Sequence, residues 1–484
     1  MIVFRCVGSG DDCEEDQVVE QRCKSVGRTD GRRIVRPGAQ SADRGPTIGF
    51  VEITASLQRA FDMTRPVEAD GKEYVDWQNA LGYDDVKKLM ARQLRRSESG
   101  ARVLFTGLRG SGKSSELRRL QTMLRQQEDN HGFFVVTVDC AELLDLDEEV
   151  SAMQVVLAIA GRLLDELYGK VPAEAKEAGK ALKALLAGIL GAAEAAVPFG
   201  KVGPSLKLAF GDPTARSRLS DRLENSRKDL FDRINAVLGQ AKAEQKEIGN
   251  DRFAVLVDSL DRIPERAIAE GGGTNHEALF LNSSATLKGL ACDLVYTLPI
   301  EFVFRHLASG RLLNDWGSTP VQLGVIAPVS RDQVVVAGLD QLLTICAERA
   351  RLGGLAGADD LLDHEALRDL CLRSGGHLRS LFQLIRGALD RSDSVPLDQR
   401  AVTKSIAAHQ RATLDQLNAE HRRVIGEVAA THKRPAHAAD EKLFIELLRN
   451  QNVLPYIDDA EATETWFGVH PLSNPNWAAP GATA

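Results

Sequence analysis

A glycine-rich stretch at residues 107–114, GLRGSGKS, has the residue types that phosphate binding requires. It fits the pattern G-x-x-x-x-G-K-[ST] and lies between a strand-like run, ARVLFTG, and a helix-like run, SELRRLQTML. Glycines allow backbone N–H groups to converge on phosphate oxygens, and the following helix adds the positive partial charge of its N-terminus. The alternative is an ordinary glycine-rich turn with an exposed lysine. The predicted nucleotide-binding residues are Gly107, Gly110, Ser111, Gly112, Lys113, Ser114 and Ser115.

A second stretch, AVLVDSLDR at 254–262, supplies carboxylates. Its apolar start is typical of a strand buried on both faces. Asp258, at the end of this strand, would lie beside the phosphate loop and hold Mg²⁺ together with Ser114. Many ATPases have a second acid directly after this position, but here Ser259 follows and the next acid is Asp261. We predict that Asp261 activates the attacking water and that hydrolysis is slow; the alternative is that Asp261 only caps the next turn.

Two further polar residues are candidates for contact with the nucleotide. Thr297 closes the strand-like run LVYT, where its hydroxyl could bond the attacking water or the γ-phosphate. The alternative for Thr297 is a hydrogen bond to nearby backbone groups. Arg379 follows two glycines in RSGGHLRSLFQLIR, at the start of a helix-like run from which its cation could reach the nucleotide. The alternative for Arg379 is a surface position.

The pattern of apolar runs predicts the helices and strands that position these residues. Strand-like runs alternate with helix-like ones, which predicts a parallel, three-layer α/β sheet. A helical region at about 145–250 separates the second strand-like run from the third and is therefore predicted to be an insertion. Two helix-like runs followed by two strand-like runs near the end predict a winged-helix-like module. The predicted divisions are a leader at 1–62, either disordered or upstream of a true start such as Met63, an α/β core at 63–330, a helical region at 331–412 and the winged-helix-like module at 413–484. The resemblance described below implies that the core is a P-loop ATPase core and that the helical region is a lid.

The composition limits the functions that are possible. The chain has 484 residues and a net charge of −8, which argues against non-specific coating of nucleic acid, since such binding requires an excess of Lys and Arg. No apolar run is long enough to span a membrane. The longest, ALLAGILGAA at 184–193, predicts a buried or partner-facing helix, with a membrane-surface segment as the alternative. The cysteines match no zinc pattern, and we expect a reducing, cytoplasmic location.

The phosphate loop, the aspartate strand, the polar strand end and the Gly-Gly-x-x-Arg helix occur in one order along the chain. Together with TGLRGSGKSSELRRL, VLVDSLDRI, VYTLPI, SGGHLRSL and WFGVHPL, this order resembles AAA+ ATPases. The resemblance covers about 70–484 and is strongest to the STAND signalling ATPases, the origin-recognition-like ATPases and a group of bacterial single-chain ATPases. It implies a P-loop α/β fold with strand order 5-1-4-3-2 and the cofactors ATP and Mg²⁺. The roles it implies are Walker A for Lys113 and Ser114, Walker B for Asp258, sensor 1 for Thr297 and sensor 2 for Arg379.

The sequence departs from this pattern in two places. Ser259 stands where many relatives have the acid that activates water, although Asp–x–x–Asp endings occur among STAND-like relatives. NSSATLKGLACD, at 282–293, lacks the arginine that oligomeric AAA+ proteins place there to complete a neighbour's site. Arg262 and Arg305 are possible substitutes, and neither can be assigned from the sequence.

The resemblance implies a nucleotide-dependent switch that hydrolyses ATP slowly, in bacterial signalling or phage defence, through a protein partner or self-association. The first alternative is a DNA-binding initiator or loader. Residues 401–484 contain 8 Lys and Arg against 10 Asp and Glu, which favours a protein-binding module over a DNA-binding one. The second alternative is a ring-forming motor, which the missing arginine disfavours.

Overall fold

The structure is a computed structural model. It describes residues 50–64, 67–68, 71–98, 100–126, 132–168, 177–191, 213–247, 249–268, 272–307, 309–458, 464–478 and 480.

Five parallel strands form a central sheet in the order β2-β3-β4-β1-β5. Read from the other edge, this is 5-1-4-3-2, so the predicted parallel α/β sheet and its strand order are confirmed. The central strands are apolar on both faces because helices cover both sides of the sheet. The strands are β1 (Arg102–Gly107), β2 (Gly132–Asp139), β3 (Asn250–Asp258), β4 (Asp293–Leu298) and β5 (Val321–Leu323).

The helices of the first part of the chain lie before the sheet and between its first two strands. They are α1 (Phe50–Ala60), α2 (Trp77–Ala80), α3 (Val86–Arg96), α4 (Lys113–Arg125) and α5 (Cys140–Leu143). The expected disordered leader at 1–62 is wrong for its last part. Leu57 and Phe61 are fully buried, and the Phe61 ring packs edge-on against Phe382 at 5.3 Å. Apolar burial therefore orders this segment, whereas residues 1–49 lie outside the described part of the chain.

The predicted helical insertion lies between β2 and β3. Its described helices are α6 (Ala152–Tyr168), α7 (Glu177–Leu190), α8 (Pro213–Asn225) and α9 (Arg227–Lys246). Val155–Ala160 of α6 are fully buried against β2 and the other insertion helices. Leu186 and Ile189 of α7 are buried too, whereas Ala184 and Gly188 are exposed, so the described part of 184–193 is a helix with one buried face. Among the described residues, no helix is long and apolar enough to cross a membrane.

Shorter helices follow β3 and β4. They are α10 (Asn275–Glu277), α11 (Ser284–Leu287), α12 (Ile300–Leu307) and α13 (Arg311–Trp316). The range assigned to a lid, 331–412, is helical. It contains α14 (Gly338–Leu352), α15 (His364–Arg373), α16 (Leu378–Leu389) and all but the last two residues of α17 (Gln399–Leu414). Asp363 and Asp398 cap α15 and α17 by accepting hydrogen bonds from the first free backbone N–H groups. Both the assignment of this range as a lid and its boundaries stay predictions, and the range is called the lid below for brevity.

The last described elements are two helices and an antiparallel hairpin. They are α18 (Ala419–Thr431), α19 (Glu441–Arg449), β6 (Val453–Asp458) and β7 (Glu464–Val469). Their apolar side chains share a core with Leu108, which follows β1, and with Phe304 of α12. The Phe304 and Phe467 rings lie edge to face at 5.3 Å. The element order is the one expected of a winged-helix-like module, and that assignment stays a prediction.

Candidate functional site

The glycine-rich loop joins β1 to α4 at the carboxyl edge of the sheet. Gly110 and Gly112 have φ angles of 92° and 104°, which other L-residues rarely adopt. A Cβ atom on Gly110 would also lie 2.7 Å from the Cβ of Arg379. Glycine is therefore required at position 110 by both backbone conformation and close packing.

The ammonium group of Lys113 is surrounded by three oxygens. Nζ donates hydrogen bonds to the carbonyl oxygens of Gly107, at 2.7 Å, and Leu108, at 2.9 Å. It also lies 2.9 Å from Oδ2 of Asp261. The side chains of Lys113 and Asp261 are only 5% and 7% exposed, so this ion pair is screened little by solvent. The lysine charge is thus held at the opening of the loop, where an anionic ligand would exchange with the aspartate.

Asp258 and Ser114 meet where β3 ends beside α4. The Ser114 hydroxyl donates a hydrogen bond to the Asp258 carboxylate, and the N–H of Ser259 donates to Asp258 Oδ1 at 2.7 Å. Burial, and next the charge of Asp261, raise the pKa of Asp258 to about 6, while these two hydrogen bonds oppose the rise. Binding of a cation would favour the ionised carboxylate.

A hydroxyl and a carboxylate in contact fit Mg²⁺, which takes oxygen ligands and binds through few protein groups and the phosphates of its nucleotide. In the described part of the chain, no cluster of three or more His, Cys, Asp and Glu side chains could hold a metal by itself. The donor set therefore suits a metal that arrives with a nucleotide. That Ser114 and Asp258 hold it stays a prediction.

The turn after β3 places Asp261 against Lys113. Ser259 adopts a left-handed conformation with φ 69° and ψ 3°, and a single 3-10 turn, Leu260–Arg262, follows. This reversal returns the chain towards the loop, so that Asp261 faces Lys113. The sequence could not show this reversal, because serine has no preference for the left-handed region.

Thr297 is not placed as the sequence analysis expected. Its side chain is fully buried, and Oγ1 accepts a hydrogen bond from Leu260 N–H at 3.1 Å and donates one to Val257 O at 3.4 Å. Both bonds are to backbone groups around the turn that carries Asp261. The structure thus favours the alternative reading, in which Thr297 fixes that turn instead of contacting the nucleotide.

Arg379, in the first turn of α16, lies directly over Gly110 and borders the loop opening. Burial, and next the charges of Arg109 and Arg262, lower the pKa of Arg379, and Asp261 opposes this effect. Three arginines therefore gather beside one aspartate, an arrangement that favours binding of further negative charge. Arg305, the other candidate for the missing arginine, forms an ion pair with Glu265 of the same chain.

A directional chain of hydrogen bonds connects the loop to the lid and the hairpin. Arg109 O, which can only accept, lies 2.9 Å from Nε2 of His377, so Nε2 is the donor. Nδ1 of His377 then accepts from the Ser380 hydroxyl at 2.9 Å. That hydroxyl accepts in turn from Nε2 of His470 at 3.1 Å. Burial lowers the pKa of His377 to about 4 and that of His470 to about 3, so both rings are neutral at physiological pH.

The Nε2 amide of Gln451, just after α19, donates to the same Arg109 carbonyl at 3.2 Å. The C-terminal module is the name used here for the chain from α18 to β7. The lid, through His377, and the C-terminal module, through Gln451, therefore both hold one peptide of the loop. Sequence reasoning missed His377, Ser380, His470 and Gln451. The one sequence signal that could have indicated His377 is its place two residues before Arg379, within RSGGHLRSLFQLIR.

A cleft of about 110 Å³ opens beside the loop, between the segment before β1 and the lid. Val67 N–H donates to the Ser115 hydroxyl at 2.9 Å and ties that segment to the start of α4. The cleft is apolar enough to take a purine ring and has polar groups at its edge. Its apolar walls are Met63, Val67, Val75, Trp77, Ile345, Leu378 and Phe382. The segment 63–77 was not assigned to the site from the sequence, because its aromatic residues show no phosphate-binding pattern.

A larger cavity, of about 430 Å³, lies on the other side of the loop and extends to α12 and the end of α19. Gly107, Leu108 and Arg109 form its loop wall, and Asp261 borders both this cavity and the cleft. The candidate site is therefore open on two sides of one ion pair.

The chain matches no protein-family model and no curated protein. Among solved structures it is similar to a Walker-type ATPase of Pyrococcus abyssi, with 13% identity and a TM-score of 0.44, over 86% of this chain and 98% of that one. It is also similar to the ORC2 protein of Aeropyrum pernix, solved in ADPNP and ADP complexes, with 13% identity, a TM-score of 0.38 and 85% and 93% coverage. A third similarity is to Cdc6p of Pyrobaculum aerophilum, with 12% identity, a TM-score of 0.36 and 86% and 94% coverage. These similarities are too distant to assign a function, which has to come from the geometry of the site.

Proposed function

We propose that this chain binds Mg-ATP and hydrolyses it slowly, as a nucleotide-dependent switch. The observation that carries the proposal is the position of Lys113, held between two loop carbonyls and Asp261, beside the Ser114–Asp258 pair. In this arrangement a triphosphate would replace Asp261 as the partner of Lys113, and Arg379 would approach it from the lid. Mg²⁺, bound by Ser114 and Asp258, would neutralise charge on the phosphate oxygens.

Release of Asp261 is the step that links binding to chemistry. Asp261 borders the cavity on the far side of the loop, where the γ-phosphate and the attacking water would meet. Its carboxylate would then face that water, where it can orient it or, as predicted from the sequence, activate it. Phosphoryl transfer depends mainly on positioning and electrostatics, so a site without an acid at Ser259 can still turn over, at a low rate.

The switch is proposed to act through the peptide of Arg109. His377 of the lid and Gln451 of the C-terminal module bond the same carbonyl of the phosphate loop. Movement of the loop on nucleotide binding would change both contacts and so alter the position of the module. ATP as the substrate, the protein partner and the setting in bacterial signalling or phage defence are supported by the sequence resemblance. The sequence contains no N-K-x-D motif of the kind that reads guanine.

The test compares Asp261→Asn with the wild type in Mg-ATP binding by calorimetry and in phosphate release. We expect the rate of phosphate release to fall by at least about tenfold. The dissociation constant of Mg-ATP should change by less than about threefold or decrease, since residue 261 no longer competes for Lys113. The matched control is Ser259→Ala in the same turn, which should change neither quantity much.

An unchanged rate in Asp261→Asn would show that Asp261 is structural. Absence of Mg-ATP binding by the wild type would refute the proposed function itself. The DNA-loader alternative is tested separately by a gel-shift titration at low salt, in which salt-sensitive, submicromolar binding would support it.

A further inference from the structure

Three carboxylates border the cavity on the far side of the phosphate loop: Asp261, Glu265 and Glu301. Asp261 is paired with Lys113. Glu265 is paired with Arg305 and lies 3.3 Å from Nη1 of Arg449. Two of the three negative charges are thus already balanced by specific cations.

Glu301 is the third carboxylate, and it differs from the other two. It lies in the first turn of α12, immediately after β4 and Pro299, and is only 8% exposed. Within the described part of the chain, its carboxylate bonds only its own backbone N–H and forms no ion pair. A buried carboxylate without a cation is costly, so a side chain of this kind is retained where it has a function or is protonated.

The phosphate loop lines the same cavity as this residue. Gly107 and Leu108, whose carbonyl groups hold Lys113, border it together with Glu301. Arg379 closes the cavity from the lid side and Arg449 closes it from the C-terminal module. A volume of about 430 Å³ leaves room for several waters beside a bound γ-phosphate.

We propose, on the basis of the proposed hydrolysis of ATP, that Glu301 is the general base that accepts the proton of the attacking water, and that Asp261 orients this water. The water oxygen forms a bond to the γ-phosphorus as the bond from that phosphorus to the β,γ-bridging oxygen breaks. The electron pair of the broken bond stays on ADP, and the water proton moves to a carboxylate oxygen of Glu301. The products are ADP and inorganic phosphate, and the proton then leaves to solvent.

The charges around Glu301 suit this role. Burial raises the pKa of Glu301 to about 7, its own N–H and the charge of Arg449 oppose the rise, and Glu265 and Asp261 add to it. Arg109, Arg262 and Arg379 line the same cavity. A base is most effective when its pKa lies near the working pH, because it is then both available and strong enough. Glu301 therefore supplies what Ser259 cannot.

The experiment measures phosphate release and Mg-ATP binding for the full chain, with Glu301→Gln against the wild type. Glutamine keeps the size of the side chain and removes its capacity to accept a proton. We expect a loss of phosphate release on the order of 100-fold, with Mg-ATP affinity within about threefold of the wild type. The wild-type rate should rise with pH through about 7, and this rise should be absent in the variant.

The matched control is Glu265→Gln, which removes the same charge from the same cavity. A smaller loss in Glu265→Gln, with the pH-dependent rise retained, supports proton transfer to Glu301. Equal losses in both variants overturn the assignment, because the effect would then be one of net charge. A wild-type rate in Glu301→Gln overturns it also, as does a parallel loss of Mg-ATP binding. A wild type that binds Mg-ATP and releases no phosphate refutes the proposed hydrolysis together with this assignment.

Discussion

Lys87 and Lys113 are both buried, and each forms an ion pair with an aspartate. Lys87 is 3% exposed and lies 2.7 Å from Asp85, whereas Lys113 is 5% exposed and lies 2.9 Å from Asp261. By burial and distance alone the two sites are equivalent. The two sites differ in the groups that surround the aspartate of each pair.

The partners of Lys87 form a closed group. Asp85 also accepts hydrogen bonds from the backbone N–H groups at the start of α3, and Asp76 lies 3.5 Å from Lys87 on the other side. The hydroxyl of Tyr74, 3.4 Å from Lys87, donates to Glu116 at 3.0 Å. Asp76 also accepts a hydrogen bond from the side-chain amide of Asn79, so Asp85, Asp76 and Tyr74 each have a second structural contact, which is typical of a cluster that holds a segment in place.

The partners of Lys113 are of another kind. Two are carbonyl oxygens of the loop itself, and the third, Asp261, borders a cavity on each side. In the proposed function a ligand takes the place of Asp261. An exchangeable partner, and not burial or charge, is then the feature that would distinguish the proposed binding lysine from the structural one.

The largest expected effect comes from changing each lysine to methionine. Lys87→Met leaves Asp85 buried without its cation, and the free energy of unfolding should fall by about 3–5 kcal/mol. Lys113→Met should cost less than about 2 kcal/mol, because Asp261 gains water from two cavities, but Mg-ATP affinity should fall on the order of 100-fold. Chemical denaturation and calorimetry measure the two quantities.

Lys88→Met is the control for the first variant, since Lys88 is 48% exposed and lies 3.6 Å from the same Asp85. It should cost less than about 1 kcal/mol. If Lys113→Met lowers the free energy of unfolding as much as Lys87→Met does, then Asp261 is as structural a partner as Asp85, and the proposed difference between the two sites is wrong.

A smaller effect, dependent on pH, is expected at Glu116, which links the two regions. Burial raises the pKa of Glu116 from 4.5 to about 7, and Lys87 and the Tyr74 hydroxyl oppose the rise only in part. The folded state keeps this proton while the unfolded state loses it. The contribution to stability is therefore complete below pH 4.5 and is lost as the pH rises through about 7.

Glu116→Gln cannot titrate, so it should gain stability relative to the wild type on going from pH 5 to pH 8. The gain should be on the order of 1–3 kcal/mol, measured as the difference between the two unfolding free energies at each pH. Glu142→Gln, at an exposed position, measures the effect of net charge alone. A difference for Glu116→Gln no larger than that of the control would mean that the carboxyl is not held in its protonated form.

The same comparison explains how much of the site could be predicted. Lys113, Ser114 and Asp258 belong to local patterns whose spacing follows from backbone geometry, so the sequence could predict that they lie together, while their roles stay predictions. Thr297 stands at the expected strand end, but the direction of its hydroxyl depends on the Leu260 N–H, which only the fold brings near. The strand order came from family resemblance and is confirmed by the sheet.

The residues that were missed are single side chains without a local pattern. Glu301 can be recognised as a candidate only from the cavity that it lines together with residues of the C-terminal module. His377 can be recognised only from its hydrogen bond to the carbonyl of Arg109, which is distant in the chain. The order of the segment around Leu57 and Phe61 was missed for a related reason, because these buried residues pack on helices that begin almost 300 residues later. Tertiary contacts of this kind leave little trace in spacing or composition.

The smallest expected effect concerns Ser259, whose left-handed conformation places Asp261 against Lys113. At φ 69° a serine is strained by its Cβ atom, whereas glycine is not. Its hydroxyl is buried and has no hydrogen-bond partner within the described part of the chain, so little is lost when it is removed. Ser259→Gly should therefore raise the free energy of unfolding by about 0.5–1 kcal/mol, less the entropy that glycine adds to the unfolded chain. Phosphate release should stay within about twofold of the wild type, because the turn and the Lys113–Asp261 pair are kept. A marked loss of turnover would show instead that the Ser259 side chain takes part in the chemistry. The Ser259 hydroxyl would then be a second feature, besides the exchangeable Asp261, that distinguishes the Lys113 site from the Lys87 site.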